Sequence, residues 1–237
     1  RQAKPTIFIN LTTGTTASPF WVFYADSIWR SGNDHSFVKG PGSWRQRWIT
    51  YRDAQTFQNI VERGPLFPLN SLMLHGIIYA REAKHLTDDP GNDFADEVHS
   101  YFGTGTQLQE LYITPSLLTK DNWDTLATAA KWSRAHASTL VDTHWIGGDP
   151  AKGEVYGWAA TGAHESILTL RNPTDHAQSY TLNPAKTFDL HAATLTLRSV
   201  WQDTRHPAIP SQTTASTKPL TVALAPFQVI TFEVKQK

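Results

Sequence analysis

Near residue 150 the texture of the chain changes, and that change constrains the fold more than any single residue. Before it, short apolar runs alternate with helical periodicity; after it, short strand-like runs recur alone. Thr6–Leu11 reads as a buried strand and Phe23–Trp29 as a second. Tyr51, Ala54, Phe57 and Val61 recur at helical spacing, predicting a helix over about 50–63 that Gly64-Pro65 stops. Leu69–Ala80 reads as strand then helix, 87–93 as a loop, Asp93–Phe102 as a short helix and Leu108–Ile113 as a strand. Trp123 to Val141 carries a longer helical pattern, with Asp121 as its expected N-cap. Strands that alternate with helices imply β/α units around a parallel sheet. Beyond 150, strands are expected at Val155–Ala159, Ser166–Leu170, Gln178–Leu182, Thr194–Trp201, Leu220–Leu224 and Gln228–Val234. Asn172-Pro173, Asn183-Pro184 and Pro207–Ser216 punctuate them, which predicts an antiparallel sheet or sandwich. The fold class is therefore α/β, with residues 1–148 and 149–237 as two units.

Composition narrows the function. Lys+Arg and Asp+Glu both number 21, so the net charge is zero, against a backbone-driven nucleic-acid binder. The chain has no cysteine, which removes disulfides, thiolate metal sites and cysteine nucleophiles and leaves the compartment open, an exported one included. No apolar run is long enough to span a membrane. The chain begins Arg1-Gln2-Ala3-Lys4-Pro5 and enters a core strand at once, which reads as the tail of a longer polypeptide.

One segment concentrates chemistry: Phe23-Tyr24-Ala25-Asp26-Ser27-Ile28-Trp29-Arg30-Ser31-Gly32-Asn33-Asp34-His35. A carboxyl near a strand end, beside an arginine and aromatic walls, suits sugar chemistry. The plainer reading keeps Asp34 in an Asn-Asp turn and Asp26 as a cap or ion-pair partner. Trp21, Trp29, Trp44 and Trp48 either line a carbohydrate cleft or pack a core. The histidines show no metal-ligand spacing; His35 stands out as the neighbour of Asp34. Arg45, Arg47 and Arg52 read as structural ion pairs, and the Asn10-Leu11-Thr12 sequon as accidental.

At Trp29-Arg30-Ser31-Gly32-Asn33-Asp34 the sequence resembles the α-galactosidase-like glycoside hydrolases of clan D, in particular a bacterial branch sometimes labelled "enterotoxin". The resemblance implies that this segment ends the sixth strand of a (β/α)8 barrel, with Asp34 as general acid/base. Arg30 would then contact substrate hydroxyls or orient that carboxyl. Trp21 and Trp29 would shape the sugar pocket, with Asp26, His35 and Asn70 as further substrate-binding residues. Pro5–Leu11 and Thr12–Trp21 resemble the fifth strand and its loop, Leu66–Met73 the seventh-strand region and Gln107–Pro115 the eighth. The fold so implied is the second half of a TIM barrel followed by an antiparallel β-sandwich.

The family nucleophile is an Asp on the fourth strand, which has no counterpart here, and Asn70-Ser71 stands where an acidic pair is expected. A barrel takes about 250 residues, so the resemblance implies a partner: the N-terminal part of the same enzyme, carrying the nucleophile. The implied reaction is retaining hydrolysis of an α-linked glycoside without metal or organic cofactor. The rival expectation is a non-catalytic carbohydrate-binding or structural barrel remnant, and a weaker one an ordinary two-domain binding protein.

Overall fold

Short parallel strands open the chain and long antiparallel ones close it. The structure is a computed structural model that describes residues 3–12, 18–191, 193–201, 205–206 and 209–236. Strands β1 (Asn10–Leu11), β2 (Ser27–Trp29) and β3 (Leu72–Met73) form a parallel sheet, with Asn10 opposite Ser27 and Trp29 opposite Met73. The chain continues from β3 into β4 (Ile77–Tyr79), which pairs in parallel with β5 (Leu111–Ile113). β1, β2 and β3 therefore run in one direction, and β4 and β5 share theirs.

Three helices pack around these strands. Helix α1 (Trp44–Asn59) starts at Ser43, whose hydroxyl accepts from the Gln46 amide at 3.1 Å. Helix α2 (Phe94–Phe102) follows Asp93. Helix α3 (Lys120–Ala135) is capped by Thr119 in a reciprocal box with Asn122, so Asp121 lies in the first turn and is not the cap. A further helical turn, α4 (Ala137–Leu140), completes this segment. The apolar core joins Ile28, Leu72, Leu74, Ile77, Phe94, Val98, Leu126 and Ala129.

Several expectations change. Thr6–Leu11 is strand only at its end, and Ile7 and Phe8 are exposed rather than buried. Phe23 ends a 3-10 turn (Pro19–Phe23), leaving β2 shorter than expected. Leu69–Ala80 holds a 3-10 turn (Leu69–Ser71) and two short strands in place of a strand and an α-helix, and His75 takes a left-handed backbone (φ 65°) between the strands. Residues 13–17 of the loop expected after β1 lie outside the described residues, as do 207 and 208 of the Pro207–Ser216 stretch.

The rest of the chain builds a six-stranded antiparallel sheet in the order β11-β10-β13-β8-β7-β6. Its strands are β6 (His144–Gly147), β7 (Tyr156–Thr161), β8 (Glu165–Arg171), β10 (Thr194–Ser199), β11 (Gln212–Ala215) and β13 (Val229–Gln236). A hairpin-like pair, β9 (Gln178–Leu182) with β12 (Leu220–Leu224), forms a second small sheet. Leu182, Val222 and Leu224 from that pair share one core with Leu168, Leu170, Leu195, Leu197 and Phe232. β6 and β11 went unrecognised in the sequence; β11 is Gln-Thr-Thr-Ala, with little apolar content to reveal it.

A buried polar network joins the two regions. Arg171 on β8 donates to Thr50 Oγ1 (2.9 Å), Tyr156 Oη (2.8 Å) and both oxygens of Gln46 (3.1 and 2.9 Å). Tyr156 donates in turn to Asp53 at 2.6 Å, and Arg52 pairs with Asp53 at 2.8 Å. This explains why the buried face of α1 is rich in polar residues: it faces a guanidinium and a phenol of the antiparallel sheet as well as an apolar core.

Candidate active site

The candidate site lies at the C-terminal ends of β2 and β3. Arg30 directly follows β2 and is fully buried. Its Nε donates to Leu74 O at 2.8 Å, Nη1 to Ser31 O at 2.6 Å and Nη2 to Asn33 O at 3.1 Å and Asp34 O at 3.5 Å. The guanidinium thus ties the loop of Ser31 to Asp34 onto the strand that ends at Leu74. Burial pulls its pKa down to about 10, with Tyr51 foremost among the groups opposing that shift. The expectation that Arg30 contacts substrate hydroxyls is corrected: its donors are spent on backbone carbonyls, and its effect on Asp34 runs through the loop.

That loop is locally determined. Ser31 and Gly32 both take left-handed φ values, 72° and 87°. A Cβ on Gly32 would stand 2.4 Å from Gln55 Oε1, so only glycine fits this turn. The loop ends on Asp34, exposed, whose carboxylate has no hydrogen bond or ion pair among the described residues. His35 is exposed beside it and meets Phe37 edge-on at 6.1 Å. Trp29 lies beneath the loop, 7 % exposed, with the Arg30 guanidinium 4.4 Å from its ring centre.

Three further residues, not anticipated from the sequence, share this rim. His75 follows β3; its ring meets Trp29 edge-on at 5.4 Å and stacks on Tyr112 at 4.3 Å. Burial holds its pKa down to about 4, and its buried Nδ1 has no hydrogen-bond partner among the described residues. Glu110 stands just before β5. One of its oxygens accepts from the His75 amide at 3.2 Å and the other from Tyr112 Oη at 2.8 Å. Burial raises the Glu110 carboxyl above its ordinary range, and burial and the Glu110 carboxylate raise the Tyr112 phenol. The negative charge of Asp34 is felt at all three groups. No local sequence signal marks them: His75 falls between two short strands and Glu110 just before a third.

The remaining expected site residues lie elsewhere. Asp26 precedes β2, at the opposite end from Asp34, and its carboxylate accepts from the Ile9 amide at 2.8 Å. Asn70 precedes β3 and its amide donates to Gly105 O, while Gln107 Nε2 donates to Asp26 O. Both therefore join strands at the N-terminal rim, where backbone geometry occupies their polar atoms. Trp21 packs edge-on against Phe67 at 5.1 Å in the core, 8 % exposed, instead of lining a pocket. The arginine cluster splits as expected into ion pairs, Arg45 with Glu97 and Asp89 and Arg52 with Asp53, while Arg47 lies over Trp44. Asn10 is engaged by Ser27 and Met73. No group of three His, Asp or Glu among the described residues could hold a metal ion, and no helix is long and apolar enough to cross a membrane.

No family model matches the chain, and no curated protein matches it. Among solved structures it is similar to a candidate α-galactosidase of Bacteroides fragilis, at 13% identity and a TM-score of 0.58, over 98% of this chain and 48% of that one. A candidate α-N-acetylgalactosaminidase of Bacillus halodurans covers 61% of this chain and 31% of its own at 14% identity, with a TM-score of 0.46. The trehalulose synthase of Pseudomonas mesoacidophila reaches a TM-score of 0.35 at 18% identity, over 48% of this chain and 18% of its own. The chain thus spans about half the length of the Bacteroides structure. At this identity the likeness is one of fold alone.

Proposed function

We propose that this chain is the C-terminal portion of a retaining glycoside hydrolase acting on an α-linked glycoside, with Asp34 as general acid/base. On this reading residues 1–148 form the second half of a (β/α)8 barrel and 149–237 a β-sandwich. The observation that carries it is the placement of Asp34: an exposed carboxylate without a partner among the described residues, on a loop fixed by a buried arginine at the C-terminal end of β2. Barrel enzymes hold their chemistry at that end of their strands. Asp34 would give its proton to the leaving oxygen as the glycosidic bond breaks, then take one from the water that releases the sugar. The covalent intermediate needs a second carboxylate about 5–5.5 Å away. We assign that nucleophile to the N-terminal part of the same enzyme, which would complete the barrel against β1.

Exposed apolar side chains just before β1 and between β1 and β2 support such a partner: Phe8, Phe20, Phe23 and Tyr24 all face solvent. The test uses the chain assembled with that partner and an aryl α-glycoside. Asp34→Asn is expected to lower turnover by about 10³-fold or more while saccharide binding persists. The other reading, a barrel remnant that binds carbohydrate without cleaving it, predicts no turnover in the parent and unaltered binding in the variant. Turnover by Asp34→Asn equal to the parent's would refute the acid/base assignment.

A further inference from the structure

Resting on the glycosidase reading, we infer that Glu110, with Tyr112 and His75, is the hydroxyl-recognition element of the same site and sets which sugar is accepted. The argument starts from how firmly Glu110 is held. Its backbone N–H donates to the buried Tyr101 hydroxyl at 3.0 Å, and its C=O accepts from the Ile77 amide at 3.2 Å. Tyr101 also donates to Leu108 O at 3.2 Å. A Cβ on Gly76 would stand 1.9 Å from Glu110 O, so the two strands approach as closely as backbones can. The carboxylate cannot drift, which is what a specificity group requires.

The carboxylate is also incompletely satisfied. It accepts one hydrogen bond on each oxygen, from His75 N and Tyr112 Oη, though a carboxylate offers about four acceptor sites. It is half-buried, so the unfilled sites favour a donor over bulk water. Its partner Tyr112 is 40 % exposed and presents a second polar handle on an aromatic body. Next to them His75 is 9 % exposed, and its ring has a buried nitrogen without a hydrogen-bond partner among the described residues. The rim thus offers fixed acceptors, aromatic surface and an uncharged imidazole.

The charge pattern decides the ligand class. Asp34 and Glu110 share this rim, so an anionic ligand is repelled. The buried Arg30 spends its donors on backbone carbonyls and offers no anion clamp. A neutral ligand rich in O–H donors fits: a carboxylate accepts from adjacent hydroxyls while a tyrosine ring covers a C–H face.

The test compares the parent assembly with Glu110→Gln and Tyr112→Phe, using aryl α-glycosides that each lack one hydroxyl. Glu110→Gln is expected to raise KM about 10–100-fold with the complete sugar and Tyr112→Phe about 3–10-fold, each with a smaller change in kcat. One deoxy substrate should lose heavily in the parent and no further in Glu110→Gln, since the hydroxyl and its acceptor are then both gone. Equal deoxy penalties in parent and Glu110→Gln would overturn the assignment, as would an unchanged KM in both variants. Saccharide affinity measured directly by calorimetry on the same variants keeps the two proposals apart. Loss of affinity in Glu110→Gln with full turnover in Asp34→Asn would refute the acid/base assignment and keep this one; the converse would do the opposite.

Discussion

The two regions of this chain solve the burial problem differently. In the antiparallel region the strands alternate apolar-in and polar-out, as in β12 (Leu220–Leu224), and the two sheets close over a shared core. Among the described residues, no large apolar side chain beyond Val141 is left exposed. The parallel region has strands of two or three residues, an open outer edge on β1, and Phe23, Tyr24, Phe20 and Leu66 each at least 70 % exposed. An open sheet edge and exposed apolar side chains are the features of a surface that can pair with further protein. The difference teaches that the antiparallel region covers its own apolar faces, whereas the parallel region leaves apolar surface uncovered, as the proposed barrel partner would require.

Cutting the junction gives the largest expected effect. Arg171→Met leaves Gln46, Thr50 and the Tyr156 hydroxyl without their buried donor, at an expected cost of about 3–5 kcal/mol. Urea unfolding checks the magnitude. Hydrogen exchange checks the comparison: amides of α1 are expected to lose protection while those of β8, β10 and β13 keep it. Uniform loss across both regions would mean that they fold as one cooperative unit.

A middle-sized effect comes from His75, and its sign follows from burial. The folded pKa, about 4, lies below the ordinary value of 6.5. Protonation therefore favours the unfolded chain, and stability falls as pH drops from about 6.5 toward 4, by about 3 kcal/mol at most. Above that window the group contributes no slope. His75→Asn tolerates the left-handed backbone and is expected to abolish this part of the pH dependence. Urea midpoints of both proteins at pH 7 and pH 4.5 decide it; parallel slopes would show that the imidazole is not held neutral.

Legibility in the sequence followed the same division. β9 and β12 are placed to the residue, because period-2 alternation fixes a strand when one face is buried. The parallel strands are too short for periodicity to find, so Leu69–Ala80 reads as strand and helix when a single left-handed histidine separates two strands. That Arg30 and Asp34 follow a strand was legible, because the spacing of a loop after a strand survives in one dimension. Asp26 and Asn70 misled because sequence proximity to a strand does not say which end of it a side chain occupies. Glu110 and His75 lie 35 residues apart and meet only through strand pairing, which no local pattern encodes.

The smallest expected effect tests the open edge itself. Phe23 is 77 % exposed and ends the 3-10 turn between β1 and β2, while Trp21, two residues earlier, is 8 % exposed. Phe23→Ser removes apolar surface that already meets water, so the stability of this chain alone should change by no more than about 0.5 kcal/mol. Trp21→Ala, by contrast, empties a core position and should cost about 3–5 kcal/mol. If the ring of Phe23 is covered by the rest of a barrel, the same serine should weaken assembly with that segment, read as a higher dissociation constant by sedimentation or titration. A cost of about 2 kcal/mol or more in the isolated chain would mean that Phe23 is packed within it, and the contrast between a closed region and an open one would not hold at this edge.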